Sequence, residues 1–171
     1  MSLSIALAHI VRNDDGTSTG VWGPFTLKTA FQPIFAFKNG KLAITAFEAL
    51  VRPFRQDMPV APSNFFAALP AIDRLSVETL TRTLHCLNAA ACLPSDAAIF
   101  LNFDPSVFVD RTVADAALHD MRGVLSRSGI EPHRMVCEVT EQRSGSQDTL
   151  HQFVAQLRSN GFRIAVDDYG S

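Results

Sequence analysis

The stretch AFQPIFAFKNGKLAITAFEALV, Ala30–Val51, decides the fold. Two apolar runs, Ala30–Phe37 and Leu42–Val51, flank Lys38-Asn39-Gly40-Lys41. Asn-Gly between such runs predicts a hairpin, because both residues tolerate the positive φ that a tight turn between twisted strands requires. The first two strands are therefore expected to be antiparallel neighbours. Beyond Ser63 the period changes. Val77, Leu80, Leu84, Leu87 and Ala91 recur at spacings of three and four, which places them on one helix face. Ala97–Phe103 reads as a strand, and Val113, Ala117, Met121 and Val124 mark a helix closed by Gly129. Met135–Thr140 is again strand-like. A helix capped by Ser146 carries Leu150, Phe153, Val154 and Leu157 and stops at Asn160-Gly161, and Phe162–Val166 is the next strand. A hairpin followed by alternating helices and strands argues for an α/β fold with a parallel sheet covered by helices. An open doubly wound sheet and a barrel both satisfy that pattern.

Toward the N-terminus, Asn13–Gly23 (NDDGTSTGVWG) reads as a linker or surface loop. The apolar start, Met1–Val11, lacks a basic leading region and is far short of the roughly 20 residues needed to span a bilayer. It is expected to be an amphipathic or frayed segment. At 171 residues, 47% of them hydrophobic and 19% charged, the chain fits one globular domain. Lys and Arg total 15 against 17 Asp and Glu, with no basic stripe, which argues against nucleic acid as a partner. Cys86, Cys92 and Cys137 form no C-x-x-C pair and read as small buried apolar groups in a reducing cytoplasm.

The polar residues bear on the choice between sheet and barrel. Glu48 lies near the end of the second run, Asn102 near the end of the third, Glu138 and Glu141 close the fourth, and Asp167-Asp168 close the fifth. Parallel strands align their C-terminal ends, so these side chains converge on one rim, where barrel enzymes place their active sites. Two carboxylates about 4 Å apart repel by about 4 kcal/mol at an effective dielectric near 20, so such a rim calls for a counter-charge. A hard divalent cation suits the oxygen donors, and no His or Cys joins them to favour zinc. Consecutive aspartates can bridge paired metals, an arrangement suited to in-line phosphoryl chemistry. Each residue alone has an ordinary reading: Asp-Asp as a loop, Glu48 as a solvated strand residue, Asn102 as a cap, Glu141 as part of a polar loop. Recurrence at four successive strand ends outweighs those readings. The histidines, His9, His85, His119, His133 and His151, fall on predicted helices and loops and are expected at surfaces or interfaces, away from the acidic rim.

In order and spacing these residues resemble the EAL domain family of cyclic di-GMP phosphodiesterases. Phe31-Gln32-Pro33-Ile34 is similar to its opening Q-P-I strand, and Glu48-Ala49-Leu50-Val51-Arg52 to the signature with its following arginine. Leu101-Asn102 fits the asparagine strand, Glu138-Val139-Thr140-Glu141 fits E-x-T-E, and Asp167-Asp168-Tyr169-Gly170 fits D-D-F-G with Tyr for Phe. The resemblance runs from Leu27 to Ser171, leaving residues 1–26 as an N-terminal segment or linker. It implies a TIM-type (β/α)8 barrel with an antiparallel first strand, of which about five strands are expected here. It implies one metal on Glu48, Asn102, Glu138 and Asp167 and a second on Asp167 and Asp168, the pair being Mg²⁺ or Mn²⁺. Glu48, Asp167 and Asp168 are the implied catalytic residues, with Glu141 steadying the loop after Asp168. Gln32, Leu50 and Arg52 are the implied cyclic di-GMP contacts, Arg52 on a phosphate, and the product is linear pGpG. The family also carries a lysine, a glutamate and a glutamine on its later strands, beyond Ser171, so the chain alone is expected to be a doubtful catalyst. A catalytically silent cyclic di-GMP receptor or a regulatory protein-interaction domain is the alternative. The resemblance further implies a cytoplasmic setting, no membrane contact from this segment, and room for a homodimer or for a sensor or GGDEF domain in a longer protein.

Overall fold

The computed structural model of the chain describes residues 3–107, 111–140 and 147–167. Glu141, the Ser146 cap and Asp168–Gly170 lie outside these residues. The described elements run α1 (Leu3–Ala8), β1 (Ile10–Arg12), β2 (Ser18–Trp22), β3 (Phe25–Lys38), β4 (Lys41–Arg55), β5 (Met58–Pro59), α2 (Pro62–Ala67) and α3 (Arg74–Cys92). They continue with β6 (Ala98–Phe103), α4 (Arg111–Ser128), β7 (Met135–Thr140), α5 (Gln147–Ser159) and β8 (Arg163–Asp167).

The hairpin forms where Asn-Gly placed it. Asn39 and Gly40 take φ of 53° and 75°, and β3 and β4 pair antiparallel from Phe25↔Arg55 to Lys38↔Lys41. Positive φ at both central residues matches the turn to the strand twist. A bulge interrupts the ladder where Ile34 faces Ala46 and Phe35 faces Ile44, leaving Thr45 without a partner. Strands β4, β6, β7 and β8 then pair in parallel, each crossover made by a helix. The sheet order is β1-β2-β3-β4-β6-β7-β8, with β5 on β4. The result is a mixed α/β sheet of barrel type that is not closed. The five expected strands are all present, and β1, β2 and β5 add to them.

The N-terminal expectation needs correction. Of the amphipathic or frayed start, the frayed reading gives way to α1, the linker reading of Asn13–Gly23 gives way to the β1–β2 hairpin, and β2 pairs with β3 from Gly20↔Leu27 to Trp22↔Phe25. This layer closes over α3. At Gly20 an added Cβ would sit 3.3 Å from Leu27 Cβ on the paired strand, closer than usual, and 3.4 Å from Leu84 Cδ2 of α3, so glycine spares the layer a small adjustment where it meets the helix. Sandwiched in this way, α3 is buried on more than its apolar face: Glu78, Thr79, Thr81, Arg82, Thr83, His85 and Asn88 join Val77, Leu80 and Leu84 inside, while Ala91 is exposed.

Two cores result. The larger gathers Ile99, Leu101 and Phe103 of β6, Met135, Cys137 and Val139 of β7, and the apolar faces of α4 and α5. The smaller joins Leu27, Val51, Phe65, Val77, Leu80 and Leu84 beneath the N-terminal layer. Cys86 and Cys137 are buried, and burial pushes both thiols up to about 12, whereas Cys92 is exposed, contrary to expectation. No described helix is long and apolar enough to cross a membrane.

Candidate functional site

The helix-facing side of β6 and β7 uses the odd positions, so the even positions are left for the opposite face. Register makes that face continuous. Gln32 of β3 stands opposite Glu48 of β4, Glu48 beside Phe100, Asn102 beside Glu138, and Thr140 beside Asp167. Since side chains alternate along a strand, Gln32, Glu48, Leu50, Arg52, Asn102 and Glu138 share one face of the sheet, and Asp167 holds a backbone register position opposite Thr140. Glu48, Asn102, Glu138 and Asp167 also lie toward the C-terminal ends of their parallel strands. Of the rim expected from the sequence, these four strand positions are brought together by the backbone register, while Glu141 and Asp168 lie outside the described residues.

One bond joins two strands across it: Asn102 Nδ2 donates to Glu48 Oε1 at 3.1 Å. The amide is thereby turned nitrogen-first toward the carboxylate, and its Oδ1 is left unused by that bond. Glu48 and Glu138 are half-buried and Asn102 is exposed. Two carboxylates and an amide oxygen on neighbouring strands are hard donors of the kind Mg²⁺, Mn²⁺ and Ca²⁺ take. Their chemistry therefore fits the implied cation. No group of three His, Cys, Asp or Glu residues that could hold a metal occurs among the described residues. Asp168 lies outside them, as does the side chain of Asp167.

Beside this rim opens a cavity of about 550 Å³. Beyond the last β4–β6 pair, Ala49↔Leu101, it takes in both sides of the sheet: Leu50, Arg52 and Asn102 line it from the rim face, Val51 and Phe103 from the helix-facing side, and Arg82 and His85 from α3. Arg52 is exposed, and its Nη1 donates to the Val51 carbonyl at 3.0 Å. Arg82 pairs with Glu78 at 3.1 Å and lies over the Phe103 ring, 4.8 Å from its centroid. Burial holds the Glu78 carboxyl above its usual range, against the pull of Arg82. Burial, with Arg82 and Arg52 adding to it, brings His85 down to about 3, so its ring is neutral at ordinary pH.

The α3 wall is what sequence reading missed. His85 was expected away from the acidic strand ends, yet it lines the same cavity as Asn102. The sequence carried no signal for it: polar residues at 78, 79, 81, 82, 83, 85 and 88 flank the apolar stripe as on any amphipathic helix, and it is the covering layer that buries them.

The EAL domain family matches residues 25–171. The Synechocystis sp. protein sll1895 is 28% identical over 147 residues, which span 82% of this chain and 20% of that protein. Among solved structures, the Bacillus subtilis YkuI protein with an EAL domain, in complex with cyclic di-GMP and calcium, is 26% identical with a TM-score of 0.70. That match covers 85% of this chain and 36% of YkuI. Klebsiella pneumoniae BlrP1, as a calcium and cyclic di-GMP complex, superposes with a TM-score of 0.71 at 24% identity over 87% of this chain, a likeness of fold. The chain spans 36% of BlrP1, so it corresponds to well under half the length of each relative.

Proposed function

The chain belongs to the EAL domain family, and on that premise we propose that it forms the N-terminal part, residues 27–171, of a cyclic di-GMP phosphodiesterase module acting in bacterial second-messenger signalling. The observation that carries the reading is the Asn102–Glu48 bond, which joins two of the proposed donors across the parallel rim. Glu48, Asn102, Glu138, Asp167 and Asp168 are the proposed holders of Mg²⁺ or Mn²⁺, with Glu141 supporting the loop. When bound, such a cation draws electron density from a phosphoryl oxygen and neutralises charge that develops there.

This chain's own residues do the rest. Arg52 meets a ligand phosphate through a charge-assisted bond, while Gln32 and Leu50 hold the dinucleotide against the open face. Glu48 and Glu138 offer the carboxylate oxygens that would hold the cation near the ligand phosphate, and the Asn102 amide orients Glu48. A cytoplasmic setting and a sensor, a GGDEF domain or a second copy as partner belong to the same proposal.

The test pairs calorimetry of cyclic di-GMP in Mn²⁺ with chromatographic detection of pGpG, on this chain and on the natural protein that carries it. Binding with pGpG release that Glu48→Gln abolishes is the expected result in the natural protein. Binding without release marks a receptor instead, and no binding to either rejects the reading.

A further inference from the structure

His85 is 6% exposed, sits mid-way along α3 and lines the cavity beside Asn102. Its Nδ1 stands 2.8 Å from Thr29 Oγ1. Two further residues decide which way the proton in that contact lies. The Ser18 N–H donates to Asn88 Oδ1 at 2.6 Å, and Asn88 Nδ2 donates to the Ser18 carbonyl at 3.0 Å. A backbone N–H can only donate and a carbonyl can only accept, so the orientation of the Asn88 amide is fixed by the strand it reads. Its second Nδ2 proton goes to Thr29 Oγ1 at 3.1 Å. The Thr29 hydroxyl could accept a second bond, but its own single proton has no acceptor among the described residues other than His85 Nδ1, so the arrangement that satisfies it has Thr29 donating to that nitrogen.

The imidazole is thus held with Nδ1 unprotonated and its proton on Nε2. Nε2 has no hydrogen-bond partner among the described residues. Nor is it sealed in, because the only fully buried side-chain nitrogen or oxygen without a partner among them is the Ser128 hydroxyl. A neutral N–H donor, oriented by a chain of bonds starting at β2, therefore opens on the cavity. An N–H short of an acceptor in a largely closed space favours any ligand that brings one.

We infer that His85 is a specificity-determining contact whose Nε2–H donates to an acceptor atom of the bound cyclic dinucleotide, with Asn88 and Thr29 as positioning residues. The inference rests on the reading of this cavity as a cyclic di-GMP site. It also assigns the N-terminal layer a part in recognition, since the chain of bonds is anchored at Ser18.

Calorimetry with cyclic di-GMP and Mn²⁺ on wild type, His85→Leu and His85→Gln tests it. Leucine keeps bulk without a donor and is expected to weaken binding by about three- to tenfold, the range for one neutral hydrogen bond. Glutamine, whose amide nitrogen reaches near the place of Nε2, is expected to recover most of that loss. Equal affinity in wild type and His85→Leu overturns the inference while leaving the cavity's assignment intact. Failure of wild type to bind cyclic di-GMP overturns the assignment and the inference with it. Since leucine leaves the Thr29 proton without its acceptor and can impair folding, a second measurement uses the unaltered protein. Two-bond ¹H–¹⁵N spectra are expected to show one ring in the neutral Nε2-protonated form, absent from His85→Gln, whose Nε2 resonance moves on adding cyclic di-GMP. An Nδ1-protonated ring, or an Nε2 unmoved at saturation, overturns it.

Discussion

Glu48 and Asn102 are 54 residues apart in the chain and 3.1 Å apart in space, the amide of one donating to the carboxylate of the other. A cation held on this rim, as proposed, would relieve the like charges there and would bind the folded state in preference to the unfolded one. Saturating Mn²⁺ is therefore expected to raise the thermal midpoint, a ligand at 100 times its Kd contributing about 2.7 kcal/mol. Glu48→Gln and Asp167→Asn are expected to lose most of the shift in differential scanning fluorimetry. A wild-type midpoint indifferent to millimolar Mn²⁺ removes the cation from this rim.

Among the described residues Arg52 is held only by its bond to the Val51 carbonyl, a contact that a ligand phosphate could replace. Losing a hydrogen bond to a charged group typically costs about 1.5–3 kcal/mol. Arg52→Ala is expected to weaken cyclic di-GMP binding by at least about tenfold on that scale. Arg52→Lys should recover only part, lacking the planar fork. Calorimetry giving the same affinity for all three rejects the contact.

Stability should fall as the solution is acidified through the range of His85. The unfolded ring takes up a proton near its ordinary 6.5 and the folded ring only near about 3, so between those values the unfolded chain binds more protons. The contribution is complete above pH 6.5 and is lost downward toward pH 3, at up to about 1.4 kcal/mol per pH unit for one full proton. Glu78 works in the opposite sense: its folded carboxyl titrates higher than the unfolded one, so its share is present at low pH and lost as pH rises through the folded value. Urea midpoints of wild type and His85→Gln from pH 3 to 8 separate the two, and the difference curve should be flat above about 6.5 and slope below it. A flat difference throughout contradicts the buried neutral ring.

The Glu78–Arg82 pair is nearly sealed, with side-chain exposures of 11% and 8%. Removing one member of such a pair strands the other and typically costs about 3–5 kcal/mol, whereas replacing both with apolar side chains can be neutral. Arg82→Met is expected to be strongly destabilising, and Glu78→Leu with Arg82→Met much less so. A double-mutant cycle in urea that shows simple additivity would mean the two do not act as a pair.

Two cross-strand pairs near the hairpin tip, Phe35↔Ile44 and Phe37↔Leu42, present large apolar side chains to solvent, Phe37 at 81% exposure. Such a patch favours association. Sedimentation velocity on the 171-residue chain is expected to show concentration-dependent association that Phe37→Lys reduces. A monomer at all concentrations would show the patch to be inert.

The sequence was most legible where local chemistry and long-range order agree. Asn39-Gly40 announces its own turn, and the spacing in α4 and α5 survives because each helix buries a single stripe. The rim was legible too, since a charged residue ending a run of apolar ones is conspicuous at Glu48 and Glu138. Asn13–Gly23 misled because Gly, Ser and Thr usually mark loops, yet here Asn88 supplies from 70 residues away the bonds that tie Ser18 to α3. In α3 the polar residues read as a solvated side. Their burial depends on a layer that pairs with β3 and leaves no periodic mark in the helix it covers.

That layer has a further consequence. The border of shared ancestry, at residue 25, is not a border of the folded body, which takes in α1, β1 and β2 before it. Cutting the chain at the family boundary would strip the strand that Leu84 packs against at Gly20 and leave Asn88 facing water in place of the Ser18 peptide. The part the family leaves unspecified is thus, in this protein, the wall against which the inherited part is set, and a lineage could retune one by altering the other.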